Sequence, residues 1–147
     1  MGRVLGLDYG RRRVGVSVSD LLGITAQPLT TWTGLGDTKL IQRIAATISE
    51  MGIDSVVIGD PLTTRGERGI MSERVRRFVG RLSKTVRVPV YLQDERFTSV
   101  EAKRVLRDQG RKTGSNKDVV DRISAVLILQ AYLDRQSAIR RQVEDEE

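Results

Sequence analysis

"LGLDYGRRRVGVSVSD", residues 5–20, decides how the chain is read. An apolar run ends at Asp8, turns through Tyr9, Gly10, Arg11, Arg12 and Arg13, and resumes as Val14, Gly15, Val16, Ser17 and Val18 with period-two alternation. Two such runs around a Gly-bearing turn predict a hairpin with strands at 4–7 and 14–18. A lone carboxylate at the end of an apolar strand, followed at once by three arginines, has two readings. Either the charges are solvated at a hairpin tip, or a metal site lies beneath a place where phosphates come to rest.

Outward from the hairpin, residues 24–31 read as a third strand in which Pro28 requires an edge or a bulge, because proline has no N–H to give a central ladder. Asp37 is placed to cap a helix with Leu40, Ile41, Ile44, Ala45 and Ile48 at helical spacing, and Gly52 ends it. A buried strand at 55–58 runs into the polar loop "GDPLTTRGERG". The next helix, 70–83, turns Ile70, Val75, Phe78, Val79 and Leu82 inward and Arg74, Arg76, Arg77 and Arg81 outward. "VRVPVYL" is a strand, and a third helix over 98–110 has capping-box spacing between Thr98 and Glu101 and closes at Gly110. "GRKTGSNK" is a basic loop without periodicity, followed by a largely apolar helix at 118–133. Strands first, then alternating helix and strand, predict an α/β domain with a mixed sheet and helices on its faces. Residues 1–136 form that single domain, and 137–147 read as a charged, frayed tail.

The chain of 147 residues contains no cysteine and no histidine, which excludes disulfides, thiolate–zinc sites, cysteine nucleophiles and serine–histidine triads. Carboxylates, lysines, hydroxyls and an oxygen-ligated ion remain, and oxygen ligation favours Mg²⁺ or Mn²⁺. No run is long and apolar enough to span a membrane, so a cytoplasmic protein is expected. A net charge of +6 points to a polyanionic partner, while 4% aromatic residues argue against a base-stacking platform.

Three acids call for explanation. Asp8 shares a pleat face with Val4 and Gly6 at a strand end, where Arg11 or Arg13 across the turn would equally satisfy it. Asp94 and Glu95 lie between a strand and a helix start; dipole compensation accounts for one of them, and the cap is already supplied by Thr98 and Glu101. Asp118 has capping-box spacing with Ser115, but Asp121 lies one turn further in. Its helix-face neighbours are Ser124, Ala125, Ile128 and Tyr132, a stripe where a charge needs a partner and small residues permit close approach to a sheet. Three such carboxylates converging on one point could hold two divalent ions, which activate water and stabilise a leaving phosphodiester oxygen.

With "LGLDYGRRRVGVSVSD", "VVIGDPLTTRGERG", "YLQDERFTS" and "KDVVDRISAVLILQAYL" in this order, the sequence resembles the YqgF family, also called RuvX-type, of the RNase H-like superfamily. The resemblance covers all but the acidic tail. It implies a mixed five-stranded sheet, its first three strands antiparallel, with helices on both faces. It also implies metal-binding catalytic acids at Asp8, Glu95 and Asp121, and a nuclease that processes the 5′ end of the 16S rRNA precursor or resolves four-way DNA junctions. Asp60, in "IGDPL", replaces the apolar residue more usual there in the family; it would either add a ligand near the site or face solvent, and solvent is the expectation.

In this reading Arg11, Arg12, Arg13, Arg65, Arg96, Arg111, Lys112 and Lys117 contact phosphates as a set, positioning pre-rRNA or branched DNA without reading its sequence. Ribosomal precursor particles are a further expected partner. A junction resolvase needs two opposed sites and hence a homodimer, whereas a monomer could trim RNA. Two other classes compete. "DYGRRRVGVSVSD" also resembles the phosphate-binding hairpin of actin- and Hsp70-type ATPases, which close two such domains around a nucleotide. A non-catalytic nucleic-acid-binding or ribosome-assembly factor would keep the fold without turnover.

Overall fold

The computed structural model describes residues 2–63, 65–96 and 117–146. The period-two runs form β1 (Arg3–Tyr9) and β2 (Arg13–Ser19), followed by β3 (Ala26–Thr33), α1 (Asp37–Met51), β4 (Ile53–Asp60), α2 (Ile70–Thr85), β5 (Val90–Asp94) and α3 (Lys117–Glu146). The five strands lie in the order β3-β2-β1-β4-β5. β1 pairs antiparallel with β2 and β2 with β3, while β4 runs parallel to both β1 and β5. Pro28 meets both of its requirements, since β3 is an edge strand and the β2–β3 register shifts between Val16 and Ser17, opposite Thr30 and Pro28.

Side-chain alternation divides the sheet into two faces. Leu5, Leu7, Tyr9, Val14, Val16, Val56 and Ile58 join Leu40, Ile41 and Ile44 of α1 and Val75, Phe78 and Leu82 of α2 in the larger core. Tyr9 stacks on Phe78 with ring centroids 4.6 Å apart. On the opposite face Val57 packs with Ile128, Leu129, Tyr132 and Leu133 of α3. Helices therefore cover both faces.

Several local expectations need correction. Gly36, not Asp37, is the N-cap of α1; the Asp37 carboxylate instead accepts the Tyr9 hydroxyl at 2.8 Å. Ile70 is 81% exposed, because it lies five residues before the buried Val75 and so points away from the sheet, while Ser72 takes the inward place. Residues 86–89 close α2 and lead into β5, which starts at Val90. The last helix does not stop near Leu133 but continues through the segment read as a frayed tail, to Glu146. No glycine or proline interrupts this stretch, and Arg140–Glu144 and Arg141–Asp145 have i,i+4 spacing. The helix expected at 98–110 and the basic segment after it, with Arg111 and Lys112, lie outside the described residues. Among the described residues no helix is long and apolar enough to cross a membrane.

Candidate active site

Because β1, β4 and β5 are parallel, their carboxyl ends at Tyr9, Asp60 and Asp94 share one edge of the sheet. In open α/β sheets this edge is where loops converge around a ligand. The turn at 10–12, residues 61–63 and 65–69, residues 95–96 and the adjoining first turns of α3 all lie at this edge.

Asp8, 3% exposed, sits opposite Gly15 in the β1–β2 ladder, on the α3 face. A Cβ on Gly15 would collide with the main chain of Asp121, so α3 rests directly on the β2 backbone. Gly6 is a second close approach, where a Cβ would lie 2.7 Å from Leu129 Cβ. Ser17 fixes the contact by donating to the Ala125 carbonyl at 2.8 Å. On the other side of Asp8, Gly59 follows Ile58 just as Asp8 follows its partner Leu7. A Cβ on Gly59 would collide with the Glu95 carboxylate and lie 2.6 Å from Ile128. Asp8 is thus flanked by two glycines, one beneath Asp121 and the other beneath Glu95. All three acids are buried on one face, at one edge.

The donors these three acids offer are carboxylate oxygens only, and an all-oxygen donor set is the kind that suits a hard divalent cation. Among the described residues, however, no three acidic side chains are grouped so as to hold an ion directly. Asp121 is engaged by Arg13, whose Nε donates to Oδ2 at 2.7 Å and lies 3.9 Å from Asp118.

The other expected phosphate contacts divide by surroundings. Arg11, Arg12 and Arg65 are exposed, and Lys117 is half-buried at the start of α3. Arg96 is bound to Asp94, its Nε and Nη2 donating to Oδ2 at 2.9 and 2.8 Å and its main-chain N–H to Oδ1 at 2.9 Å. Burial by itself would raise the Asp94 carboxyl, but these bonds outweigh it and hold the group below its ordinary value. A Cβ on Gly66, whose φ is +80°, would strike the Arg96 guanidinium, so the backbone at Gly66 lies against that side chain.

Asp60 does not face solvent. It is 2% exposed, accepting Ser72 Oγ and Arg76 Nη2 at 2.6 Å each. As an even-numbered residue of β4 it points at α2, and Arg76, one turn after Ser72, folds back onto it rather than outward. The Asp60 carbonyl accepts the main-chain N–H groups of Leu62 at 2.9 Å and Glu95 at 3.3 Å. Asp60 therefore ties α2, the loop and Glu95 together. Sequence reasoning missed this group; the i,i+4 pair of Ser72 and Arg76 was its one available signal. It missed the glycine cradle too, although glycines inside strands at 6, 15 and 59 mark close backbone approach.

The chain resembles known proteins along most of its length. A family model described as "RuvX: Holliday junction resolvase" matches residues 2–135. A protein of Koribacter versatilis (strain Ellin345) named "Putative pre-16S rRNA nuclease" is 43% identical over 141 residues, covering 96% of this chain and 92% of that protein. A protein of the same name from Chloroflexus aggregans (strain MD-66 / DSM 9485) is 44% identical over 131 residues, with coverage of 89% and 92%. Two solved structures share the fold. RuvC from T. thermophilus in complex with a Holliday junction substrate superposes with TM-score 0.56 at 14% identity, covering 92% of this chain and 96% of that one. The Fowlpox virus resolvase bound to Holliday junction DNA gives 0.52 at 12%, with coverage of 91% and 98%. The antiparallel β3-β2-β1 half, the parallel β4 and β5, and the helix lying on bare glycine backbone are an RNase H-like fold, and the chain belongs to the RuvX family.

Proposed function

We propose that this protein is a divalent-metal-dependent nuclease that hydrolyses phosphodiester bonds in structured nucleic acid, processing the 5′ end of the 16S rRNA precursor. The observation that carries this reading is the burial of Asp8, Glu95 and Asp121 on one glycine-lined face, at the edge where exposed Arg11, Arg12 and Arg65 emerge. Those three carboxylates would hold Mg²⁺ or Mn²⁺, which when bound supplies an activated water and charge stabilisation at the leaving oxygen.

The chain's own residues do the rest. Gly15 and Gly59, having no Cβ, let the Asp121 main chain and the Glu95 carboxylate lie directly on the strands at either side of Asp8. The Asp60 carbonyl fixes the backbone at Glu95, so that acid is held by the sheet rather than by a loop. Arg11, Arg12 and Arg65 attract and orient the phosphate backbone, a contact that positions substrate without selecting sequence. Binding should therefore weaken steeply with salt. Relatives named for pre-16S rRNA support the RNA substrate. Branched DNA is the second reading, supported by the family description and by two neighbours solved with junctions; it requires a homodimer, whereas a monomer suffices for trimming RNA.

The test is cleavage of a 16S precursor 5′-end RNA and a four-way DNA junction, side by side, with Mg²⁺ or Mn²⁺. The RNA should be cut, and Asp8→Asn should slow cleavage by about a thousandfold or more, since several kcal/mol of stabilisation are removed. Cutting of the junction alone would replace the substrate. Binding without cutting of either would leave a ribosome-assembly or nucleic-acid-binding factor.

A further inference from the structure

Arg13 begins β2 directly after the turn that carries Arg11 and Arg12, yet its guanidinium turns inward. It joins two carboxylates of very different exposure. Asp121, whose side chain is 4% exposed, accepts its Nε at 2.7 Å; Asp118, at 56%, lies 3.9 Å from the same nitrogen. The Arg13 side chain itself is 26% exposed, so its head spans from the buried acid toward solvent.

We propose that Arg13 is the resident counter-ion of the site: it holds the Asp121 carboxylate while no divalent cation is bound, and on cation binding it moves outward to join Arg11 and Arg12 on substrate phosphate. The inference rests on the metal-dependent reading above. A buried carboxylate needs a positive partner, and a guanidinium and a divalent ion compete for the same oxygen. Asp118 makes the exchange smooth, because an arginine leaving Asp121 meets a second carboxylate on its way to solvent. Arg13 then reports the state of the site. Its release would return Asp121 Oδ2 to the ion and add one phosphate-binding charge. Metal and nucleic acid therefore assist each other's binding, a coupling that is reciprocal by thermodynamic necessity.

The experiment is a calorimetric Mn²⁺ titration of wild type, Arg13→Gln and Asp8→Asn, paired with a Mg²⁺ titration of wild type followed at the Arg13 Nε–H signal by ¹⁵N NMR. Arg13→Gln should bind Mn²⁺ about tenfold tighter, the scale of one charge-assisted hydrogen bond removed from the competition. It should bind RNA more weakly, with a salt slope smaller by about one. In wild type the Nε–H signal should shift and exchange faster as Mg²⁺ saturates. That measurement stands even where Arg13→Gln does not fold. Unchanged or weaker Mn²⁺ affinity in a folded Arg13→Gln, or an Nε–H signal indifferent to Mg²⁺ that binds, would overturn the exchange and leave the metal site intact. No Mn²⁺ binding by wild type or either variant would overturn the metal site itself, and the exchange with it.

Discussion

Facing α1 and α2, the sheet presents Leu5, Leu7, Val14, Val16, Val56 and Ile58; facing α3, the same strands present Gly6, Asp8, Gly15, Ser17 and Gly59. The first face keeps two helices at the distance that large side chains dictate, and its interior is apolar except where Asp60 is bound by Ser72 and Arg76 at the strand end. The second lets one helix down onto the backbone, and beside a smaller apolar cluster around Val57, Ile128 and Leu129 it buries Asp8, Glu95 and Asp121. The larger apolar core lies on one face and the three candidate acids on the other. Asp121, which the helix brings down onto this second face, is tolerated there because Arg13 at the start of β2 pairs with it.

The comparison breaks if the two faces respond alike to mutation. Phe78→Ala, which empties a fully buried ring position between α2 and the sheet, should cost about 3–5 kcal/mol of stability by urea denaturation. Below the unfolding transition its Mn²⁺ affinity should equal that of wild type. A loss of metal binding in step with stability would mean that the faces are not separable.

Gly15→Ala should do the reverse. One methyl group forces α3 off the β2 backbone at Asp121, an overpacking that costs about 1–3 kcal/mol. Despite this smaller stability loss, Mn²⁺ affinity should fall by about tenfold, equivalent to about 1.4 kcal/mol, because Asp121 is displaced from the other two acids. Undiminished Mn²⁺ binding in Gly15→Ala would show that close approach of α3 does not set the site.

The smallest effect concerns the edge itself. The Asp94 carboxyl is held below its ordinary value by Arg96, against the opposing effect of burial, so its folded form stays ionised to lower pH than its unfolded form. The resulting stabilisation is fully present above the ordinary carboxylate value of about 3.9 and fades as pH falls through the lower folded value. Asp94→Asn should therefore be slightly less stable than wild type at neutral pH, with the gap closing in acid. The partly exposed pair is screened by solvent, which keeps the effect small. A gap that widens in acid would contradict the sign.

The hairpin, the alternating faces and the order of elements were legible in residues 5–20 and in the helical spacing that follows, because both depend on local periodicity. Two of the three acids could be singled out too, since Asp8 and Asp121 each interrupt an apolar stripe, whereas the choice of Glu95 over Asp94 came from the family resemblance. What stayed hidden depends on partners distant in sequence. Asp60 looked like a loop residue until β4 and α2 were brought together, with Ser72 and Arg76 12 and 16 positions away. Arg13 looked like another phosphate contact until α3 placed Asp121, 108 positions later, against its Nε. The long final helix was hidden for another reason. Beyond Leu133 it leaves the core, so the apolar signal ends while the helix-forming composition does not.

The most direct test of the central claim, that the α3 face is the chemical one, is a crystal structure of the protein soaked in Mn²⁺, with the anomalous difference map computed at the manganese edge. Strong density enclosed by Asp8, Glu95 and Asp121 above Gly15 and Gly59 is the predicted result, with Arg13 withdrawn from Asp121. Saturating Mn²⁺ with no density there, and the Arg13–Asp121 pair intact, would contradict it.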